Sequence, residues 1–338
     1  MSRLTLALDV MGGDIGPRIT LPASLLALES DPMLSLILFG DSQQISPFLE
    51  NIPKASLDRI QVHHCTRTID NNQGISYALR HSKNTSMRLA LEAVQHGMAQ
   101  GCVSAGNTGA LMGLSKILLQ PLKGIARPAL VSLIPTVGGE KSVMLDLGAN
   151  LECSAENLYQ FAIMGSIFAE HRLNLVYPRI GLLNIGVEEI KGHQFIRDAA
   201  NLLEKSTALN YIGFVEGDLL LNGKADVIVS DGFSGNIALK TLEGAAKNVL
   251  SLFKGQSKHY CLKPIFWGMR YLFKTQYQRL KRINPDEYNG ASLIGLTAVV
   301  VKSHGSANVK AFAHAIADAA FQARQKLPEK ILAGLTRY

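Results

Sequence analysis

No apolar run in this 338-residue chain is long enough to cross a bilayer. The richest, Leu296 to Val301, is broken by Thr297 and falls far short of the ~18 residues a spanning helix needs. Integral membrane proteins are therefore excluded. The first apolar run, Leu4 to Leu8, is stopped by Asp9 before any cleavage-like site, so no secretory leader is expected. Cysteine is scarce as well: Cys65, Cys102, Cys153 and Cys261 stand far apart with no CxxC pair. That pattern excludes a disulfide framework or zinc site and reads as reduced thiols in a cytosolic protein. Charge is low, at 18% of residues against 47% hydrophobic, with a mean hydropathy of +0.13. A chain so apolar fills a large core and is not disordered.

Nucleotide signatures are missing too. No GxGxxG follows a strand, and the nearest approach to a P-loop, Gly217 to Gly223-Lys224-Ala225, has the wrong spacing and no hydroxyl after the lysine. NAD and ATP chemistry thus have no support. His63-His64-Cys65 are adjacent and cannot all face one ion from a strand, so no metal centre is expected.

Acid is absent from one long stretch. Between Gly244 and Pro285 there is no Asp or Glu but nine bases: Lys247, Lys254, Lys258, Lys263, Arg270, Lys274, Arg279, Lys281 and Arg282. Taking these nine from the chain's 34 bases leaves 25 against 27 acids, so the whole excess of +7 is local. A confined basic patch points to an acidic partner and away from general nucleic-acid binding. Within 255–283 the bases alternate with Tyr260, Phe266, Trp267, Tyr271, Phe273 and Tyr277. Phe266, Arg270 and Phe273 share one helical face, and Trp267, Tyr271 and Lys274 another. Two compatible readings follow for this helical hairpin insert. It is a dimer-interface helix with a solvated basic side, or an amphipathic element that also touches anionic lipid or an acidic carrier protein.

What is present is a recurring unit: a short apolar run, a Gly-, Asn- or Ser-rich loop, then a helical pattern. Leu4–Val10 leads to Gly12-Gly13-Asp14 and a helix from Pro17. Leu34–Phe39 and Gly101–Ser104 lead likewise to helices, the latter over Ala110–Leu119. Ser142–Leu147 precedes a long helix from about Ser154. Ile180–Ile185 precedes one near His193–Lys205, and Asp226–Ser230 one over Ile237–Phe253. Apolar strands alternating with helices predict an α/β fold, a mostly parallel sheet with helices on both faces. Pro128–Pro135 and Ser142–Leu147 follow each other with no helix between them, so an antiparallel pair is expected there. No linker divides the chain, which reads as a single domain over 1–338.

Ligands of such sheets sit outside the carboxyl ends of strands, where glycine-rich loops open helices. Ser104, Gly106, Asn107, Thr108 and Gly109 combine two glycines, three polar side chains and a helix start, which suits phosphate. The competing reading is that Asn107 or Thr108 merely caps the helix. Asp231, Gly232, Ser234, Gly235 and Asn236 repeat the logic at another strand end, with Asn236 either a donor into the crevice or an N-cap. Gly12, Gly13 and Asp14 form a third loop, in which Asp14 orients the loop or contacts ligand. Lys191 lies beside Glu188 and Glu189, as a surface ion pair or as a cleft ammonium.

Taken in order, Asp9-Val-Met-Gly-Gly-Asp14, Ser104 to Met112, Asp146-Leu-Gly-Ala-Asn150, Gly181 to Gly186 with Lys191-Gly192, Asp231 to Lys240 and His304-Gly-Ser306 resemble the PlsX family. These are acyl-[acyl-carrier-protein]:phosphate acyltransferases of phospholipid synthesis, and the match runs from Asp9 to about Ala323. The chain departs from the usual pattern at Val10, at Asn84-Thr85 and at Asn289-Gly-Ala-Ser292. The resemblance implies reversible transfer of a long-chain acyl group from acyl carrier protein to inorganic phosphate, with no metal or cofactor. It implies the fold shared by isocitrate/isopropylmalate dehydrogenase-like enzymes and phosphate acetyltransferases, in a cytoplasmic homodimer. The product would pass to a membrane glycerol-3-phosphate acyltransferase, which peripheral membrane contact would suit. Lys191 and Asn236 are then the leading catalytic pair. The three loops, Asn150 and His304 are candidates for binding phosphate or substrate. The alternatives are a coenzyme A-dependent phosphate acetyl- or butyryltransferase, or a non-catalytic peripheral membrane scaffold.

If the insert meets lipid, Trp267→Glu weakens co-flotation of the protein with anionic liposomes. Equal flotation of both proteins removes the lipid role of this segment.

Overall fold

The apolar runs assemble into one sheet. In the computed structural model, which describes residues 3–50, 52–253 and 290–337, eleven strands are joined edge to edge. The first half of the chain runs β1 (Leu4–Asp9), α1 (Pro17–Ser30), β2 (Leu34–Gly40), α2 (Ser42–Leu49), α3 (Lys54–Leu57), β3 (Ile60–His64), α4 (Ile75–Arg80), α5 (Ser86–Gln95), β4 (Gly101–Ser104) and α6 (Thr108–Leu118). Then follow β5 (Ala129–Pro135), β6 (Lys141–Leu145), α7 (Ala155–Leu173), β7 (Arg179–Leu183), α8 (Gln194–Lys205), β8 (Asn210–Val215), β9 (Val227–Val229) and α9 (Gly232–Phe253). Beyond residue 290 come β10 (Ala291–Ile294), β11 (Val299–Lys302), α10 (Val309–Arg324) and α11 (Leu327–Leu335). The basic, aromatic segment 255–283 lies outside the described residues.

The strand order is β3-β2-β1-β4-β11-β10-β5-β6-β9-β7-β8. Neighbours from β3 to β11 are parallel, as are those from β6 to β8. The three pairings between, β11 with β10, β10 with β5 and β5 with β6, are antiparallel. The expected antiparallel pair is there, and β10 adds a reversal that no short sequence pattern announces. An odd number of reversals makes the two parallel sets run in opposite directions, so their carboxyl ends lie at opposite edges of the sheet.

Helices cover both faces. Leu6 and Leu8 of β1 pack with Leu28 of α1 and Phe312 of α10. Val143 and Leu145 of β6 pack on the same face with Phe161 of α7, Leu203 of α8 and Ile331 of α11. Side chains that alternate with these, Ala7, Met144 and Ile228 among them, meet α5 and α6 on the other face, with Leu239 and Leu242 of α9 packed against that layer. The alternation is the period-2 geometry of a strand buried on both sides. Local signals fix the helix ends. Asn107 caps α6 by accepting the Ala110 N–H at 3.0 Å, and Ser154 with Asn157 forms a reciprocal capping box on α7. Such caps are each worth ~1 kcal/mol.

One expected boundary is wrong, with a physical reason. α9 starts at Gly232, five residues before Ile237, so the loop expected at Asp231–Asn236 is mostly helix. Asp231 Oδ1 accepts the Ser234 N–H at 2.9 Å and caps the helix there. The two glycines that suggested a loop instead allow close packing: a Cβ on Gly235 would lie 1.9 Å from the Asp146 carbonyl oxygen, and one on Gly232 would lie 2.6 Å from that of Asn150.

Gly235→Ala should therefore lower the unfolding free energy by ~1–3 kcal/mol or more. Gly244→Ala in the same helix has open space around its Cβ and should raise it by up to ~1 kcal/mol. Denaturant titrations that place both variants on the same side of wild type would refute this account of α9.

Candidate active site

A cavity of about 560 Å³ lies on the face of the sheet that carries α6 and α9, over the central antiparallel strands. Its walls are mostly apolar and include Ile75, Met112, Leu130, Ile134, Leu147 and Leu239. Polar groups gather in two places. Asn236 stands beside Gly148, while Thr108, Lys302, Ser303, His304 and Ser306 stand with Lys240 and Glu243.

The first place is built by a buried carboxylate. Asp146 has no exposed surface and accepts five N–H bonds. Oδ1 takes those of Leu130, Gly148 and Ala149 at 2.9, 3.2 and 3.0 Å. Oδ2 takes the backbone and side-chain donors of Asn150 at 2.6 and 2.9 Å. Burial pushes the Asp146 pKa up, against the pull of these donors. The other side-chain N–H of Asn150 goes to the Pro128 carbonyl at 2.8 Å, so this candidate residue braces the loop. The braced loop presents Gly148 at φ 127°, where a Cβ would lie 2.7 Å from Asn236 Nδ2. Asn236 donates to the Leu147 carbonyl at 3.1 Å. It lies in the second turn of α9, with Asp231 at the cap, so the N-cap reading of Asn236 is replaced by that of an amide at the cavity wall.

The second place lies at the carboxyl ends of β1, β4 and β11. Ser104 is fully buried; its hydroxyl donates to Asp9 Oδ2 at 2.6 Å and accepts the Gly106 N–H at 3.0 Å. Asn107 is engaged as the α6 cap and donates to the Asn71 carbonyl at 2.9 Å. Both residues thus shape the loop, leaving Thr108 and Gly109 on the cavity wall at the start of α6. Gly12 lies against Asp9 and Gly106. Asp14 donates its N–H to the Gly305 carbonyl at 2.9 Å and accepts from Asn71 at 3.2 Å, which ties its loop to those that follow β11 and β3. Asp14 has the orienting role in this geometry.

His304 stands between two partners. Lys240 Nζ is 3.2 Å from its Nε2, and the Ser306 backbone nitrogen and hydroxyl are 3.2 and 2.9 Å from its Nδ1. Burial and then the Lys240 charge push its pKa below the ordinary value, so the ring is neutral at pH 7. Lys240 is itself paired with Glu243 at 2.8 Å. Lys302, which the sequence reading missed, is 8% exposed and lines the same end. Its Nζ donates to the Ala105 carbonyl at 3.3 Å and to that of Ser303. Burial and then Lys240 bring its pKa down to about 8.

Lys191 is placed differently. It is exposed in the loop after β7, its carbonyl accepting from Asn184 at 3.1 Å, and it is not among the cavity-lining residues. No hydrogen bond joins it to Asn236 among the described residues. The two belong to segments that leave the carboxyl ends of adjacent parallel strands, β7 and β9. The thiols are poor nucleophiles: burial raises Cys102, takes Cys65 up to about 11 and takes Cys153 up to about 12. Cys261 lies outside the described residues.

A family model described as fatty acid synthesis protein matches residues 4–330. A phosphate acyltransferase from Pasteurella multocida (strain Pm70) is 78% identical over 339 aligned positions, covering all of both chains. One from Mannheimia succiniciproducens is 73% identical, again over the full length of both. The chain belongs to the PlsX family of phosphate acyltransferases. Solved structures add the fold. The EutD phosphotransacetylase from Staphylococcus aureus matches with a TM-score of 0.60 at 15% identity, covering 95% of this chain and 94% of its own. A phosphotransacetylase from Streptococcus pyogenes matches at 0.62 and 17%, covering 96% and 94%. In this family member the α/β sheet is thus the one seen in phosphotransacetylases.

The His304 ring should titrate below 6.5, the ordinary histidine value, when followed by NMR. Lys240→Met should move that titration upward. A His304 titration at or above the ordinary value in wild type would refute the buried, cation-flanked environment.

Proposed function

We propose that this chain moves a long-chain fatty acyl group from the thioester of acyl carrier protein to inorganic phosphate, forming acyl phosphate for phospholipid synthesis. The observation that carries the reading is the cavity. Its volume falls within the ~300–1,000 Å³ of small-molecule sites, its walls suit a hydrocarbon chain, and one end is rich in cations and hydroxyls. A coenzyme A-dependent acetyl- or butyryltransferase would need far less apolar wall. A non-catalytic scaffold would leave the cavity without a purpose. The domain is taken as one unit over 1–338, working as a cytoplasmic homodimer with peripheral membrane contact through 255–283. It would supply a membrane glycerol-3-phosphate acyltransferase. The fold would extend its kinship to isopropylmalate dehydrogenase-like enzymes.

Phosphate is anionic near neutral pH, so deprotonating it is not the main difficulty. The enzyme must hold that anion against an electron-rich carbonyl and stabilise the oxyanion as it forms. One phosphate oxygen bonds to the acyl carbon, the carbon–sulfur bond breaks, and the carrier thiolate leaves and takes up a proton. Asn236 has one amide N–H on the Leu147 carbonyl and keeps the other for the substrate carbonyl. Lys191, whose ammonium forms no ion pair among the described residues, neutralises phosphate or the developing oxyanion from the adjacent strand end. Thr108 and Gly109 meet the anion at the α6 start, with His304 as a neutral partner. Ser104, Gly106, Asn107, Gly12, Gly13 and Asp14 hold that corner in shape. Asn150, Asp231, Gly232, Ser234 and Gly235 do the same for Asn236. Transfer is direct, without an acyl-enzyme, which suits thiols held so far from ionisation.

Incubating long-chain acyl carrier protein and phosphate with the purified chain should yield acyl phosphate. Lys191→Ala or Asn236→Ala should each lower turnover on the order of a hundredfold, the scale of losing one oxyanion donor. Near-normal rates for both variants remove them from the mechanism, and an isolable acylated protein refutes direct transfer.

A further inference from the structure

The geometry points to Lys302 as the cation that seats the phosphate acceptor at the polar end of the cavity; the identity of that anion rests on the reading above. Lys302 ends β11, one residue beyond the apolar Val299–Val301 run, and is held between the loops that follow β4 and β11. Its ammonium has three N–H donors. Two point to the carbonyls of Ala105 and Ser303, which leaves one donor at a position on the cavity wall.

Neither carbonyl supplies a negative charge, and Lys302 forms no ion pair among the described residues. The charged and titratable groups facing it come from every neighbouring element. Asp9 ends β1, Asp14 follows it in the next loop, Lys240 lies on α9, and His304 lies two residues on. Of these, Asp14 and Asp9 favour the charge and Lys240 opposes it, and neither carboxylate forms an ion pair with Lys302. Asp9 is itself buried, hydrogen-bonded to Ser104 and pushed toward its neutral form by burial. Asp14 is exposed, and Lys240 repels.

Enclosing an ammonium without an ion-pair partner is costly, and a methionine or leucine at the same strand end would avoid that cost. A bound dianion supplies the missing charge in a low-dielectric setting where it counts most. The other groups at this corner agree in sign. α6 presents the free N–H groups and positive end of an eleven-residue helix beside Thr108, and Ser303 and Ser306 line the same end. Burial gives the site a pH signature: with its pKa down at about 8, Lys302 is charged at pH 7 and neutral at pH 9.5. Anion affinity is therefore present below that value and lost above it.

Calorimetry with sulfate, whose charge is constant over this range, should show affinity falling at least about tenfold between pH 7 and 9.5. Lys302→Met should weaken sulfate and phosphate binding at pH 7 by a similar factor and abolish the pH step. Lys302→Arg should retain binding at both pH values. In steady-state assays the Met variant should raise KM for phosphate while KM for acyl carrier protein stays within about twofold. Sulfate affinity that is flat with pH in wild type overturns the assignment even where the Met variant fails to fold. So does a Met variant whose two KM values rise together. Wild-type protein that shows the pH step but makes no acyl phosphate supports the anion site while removing the reaction assigned above.

Discussion

Asp146 is the constraint on which the catalytic architecture hangs. Its carboxylate gathers five N–H donors, four from the loop that follows β6 and one from the start of β5. Those donors offset part of the cost of burying the group, although burial still pushes its pKa up. Its main-chain oxygen then becomes the surface against which Gly235 of α9 packs, with Ser230 donating to the same oxygen at 3.2 Å. The direction in which α9 leaves the sheet follows from that contact, and with it the position of Asn236. A helix displaced here by even an ångström would change both the reach of the amide and the roof of the cavity.

The second constraint is topological. In a sheet with all strands parallel, every loop rich in polar residues would gather at one edge. The three antiparallel pairings at the centre of this sheet send the two parallel sets in opposite directions. α9 leaves the far carboxyl edge near Asn236 and crosses back to bring Lys240 within 3.2 Å of His304 at the near edge. A single cavity therefore has polar groups from both edges along an apolar middle. That arrangement matches a substrate with a reactive head and a long hydrocarbon body better than a compact one.

Much of this was legible in the sequence because strand ends and helix starts have local signals. The runs Leu4–Asp9 and Gly101–Ser104, the pair Ala129–Pro135 and Lys141–Leu145, and the loop before α6 all follow from apolar runs punctuated by glycine and asparagine. Three things were not legible. Gly232 and Gly235 read as loop glycines, because single-chain patterns cannot distinguish glycine for turning from glycine for close packing. Ser104 has the composition of a ligand loop, but its hydroxyl goes to Asp9, 95 residues away; for Asn107 the cap reading was open, while its bond to the Asn71 carbonyl was not legible. Lys302 follows three valines and reads as a charge that ends a strand. Only the pairing of β11 beside β4 reveals that it is enclosed. The available signal was its place in Lys302-Ser-His-Gly305, a charge next to polar residues where the other strand ends of the first set have loops.

The two polar corners have different physical tasks. At Asn236 the requirement is a donor of fixed direction, aimed where negative charge develops on the thioester carbonyl oxygen. At Lys302 the requirement is charge, because the acceptor arrives as an anion and must shed much of its hydration to enter an apolar cavity. Enclosure strengthens both, as the low dielectric that penalises an empty ammonium also deepens its attraction for an occupant. The same enclosure keeps bulk water from an acyl phosphate, a mixed anhydride that water would hydrolyse. The phosphotransacetylase fold alone does not decide between a two-carbon and a long-chain substrate. The residues along the walls favour the long chain proposed above, because Ile75, Met112, Ile134 and Leu239 present apolar surface that an acetyl group could not cover.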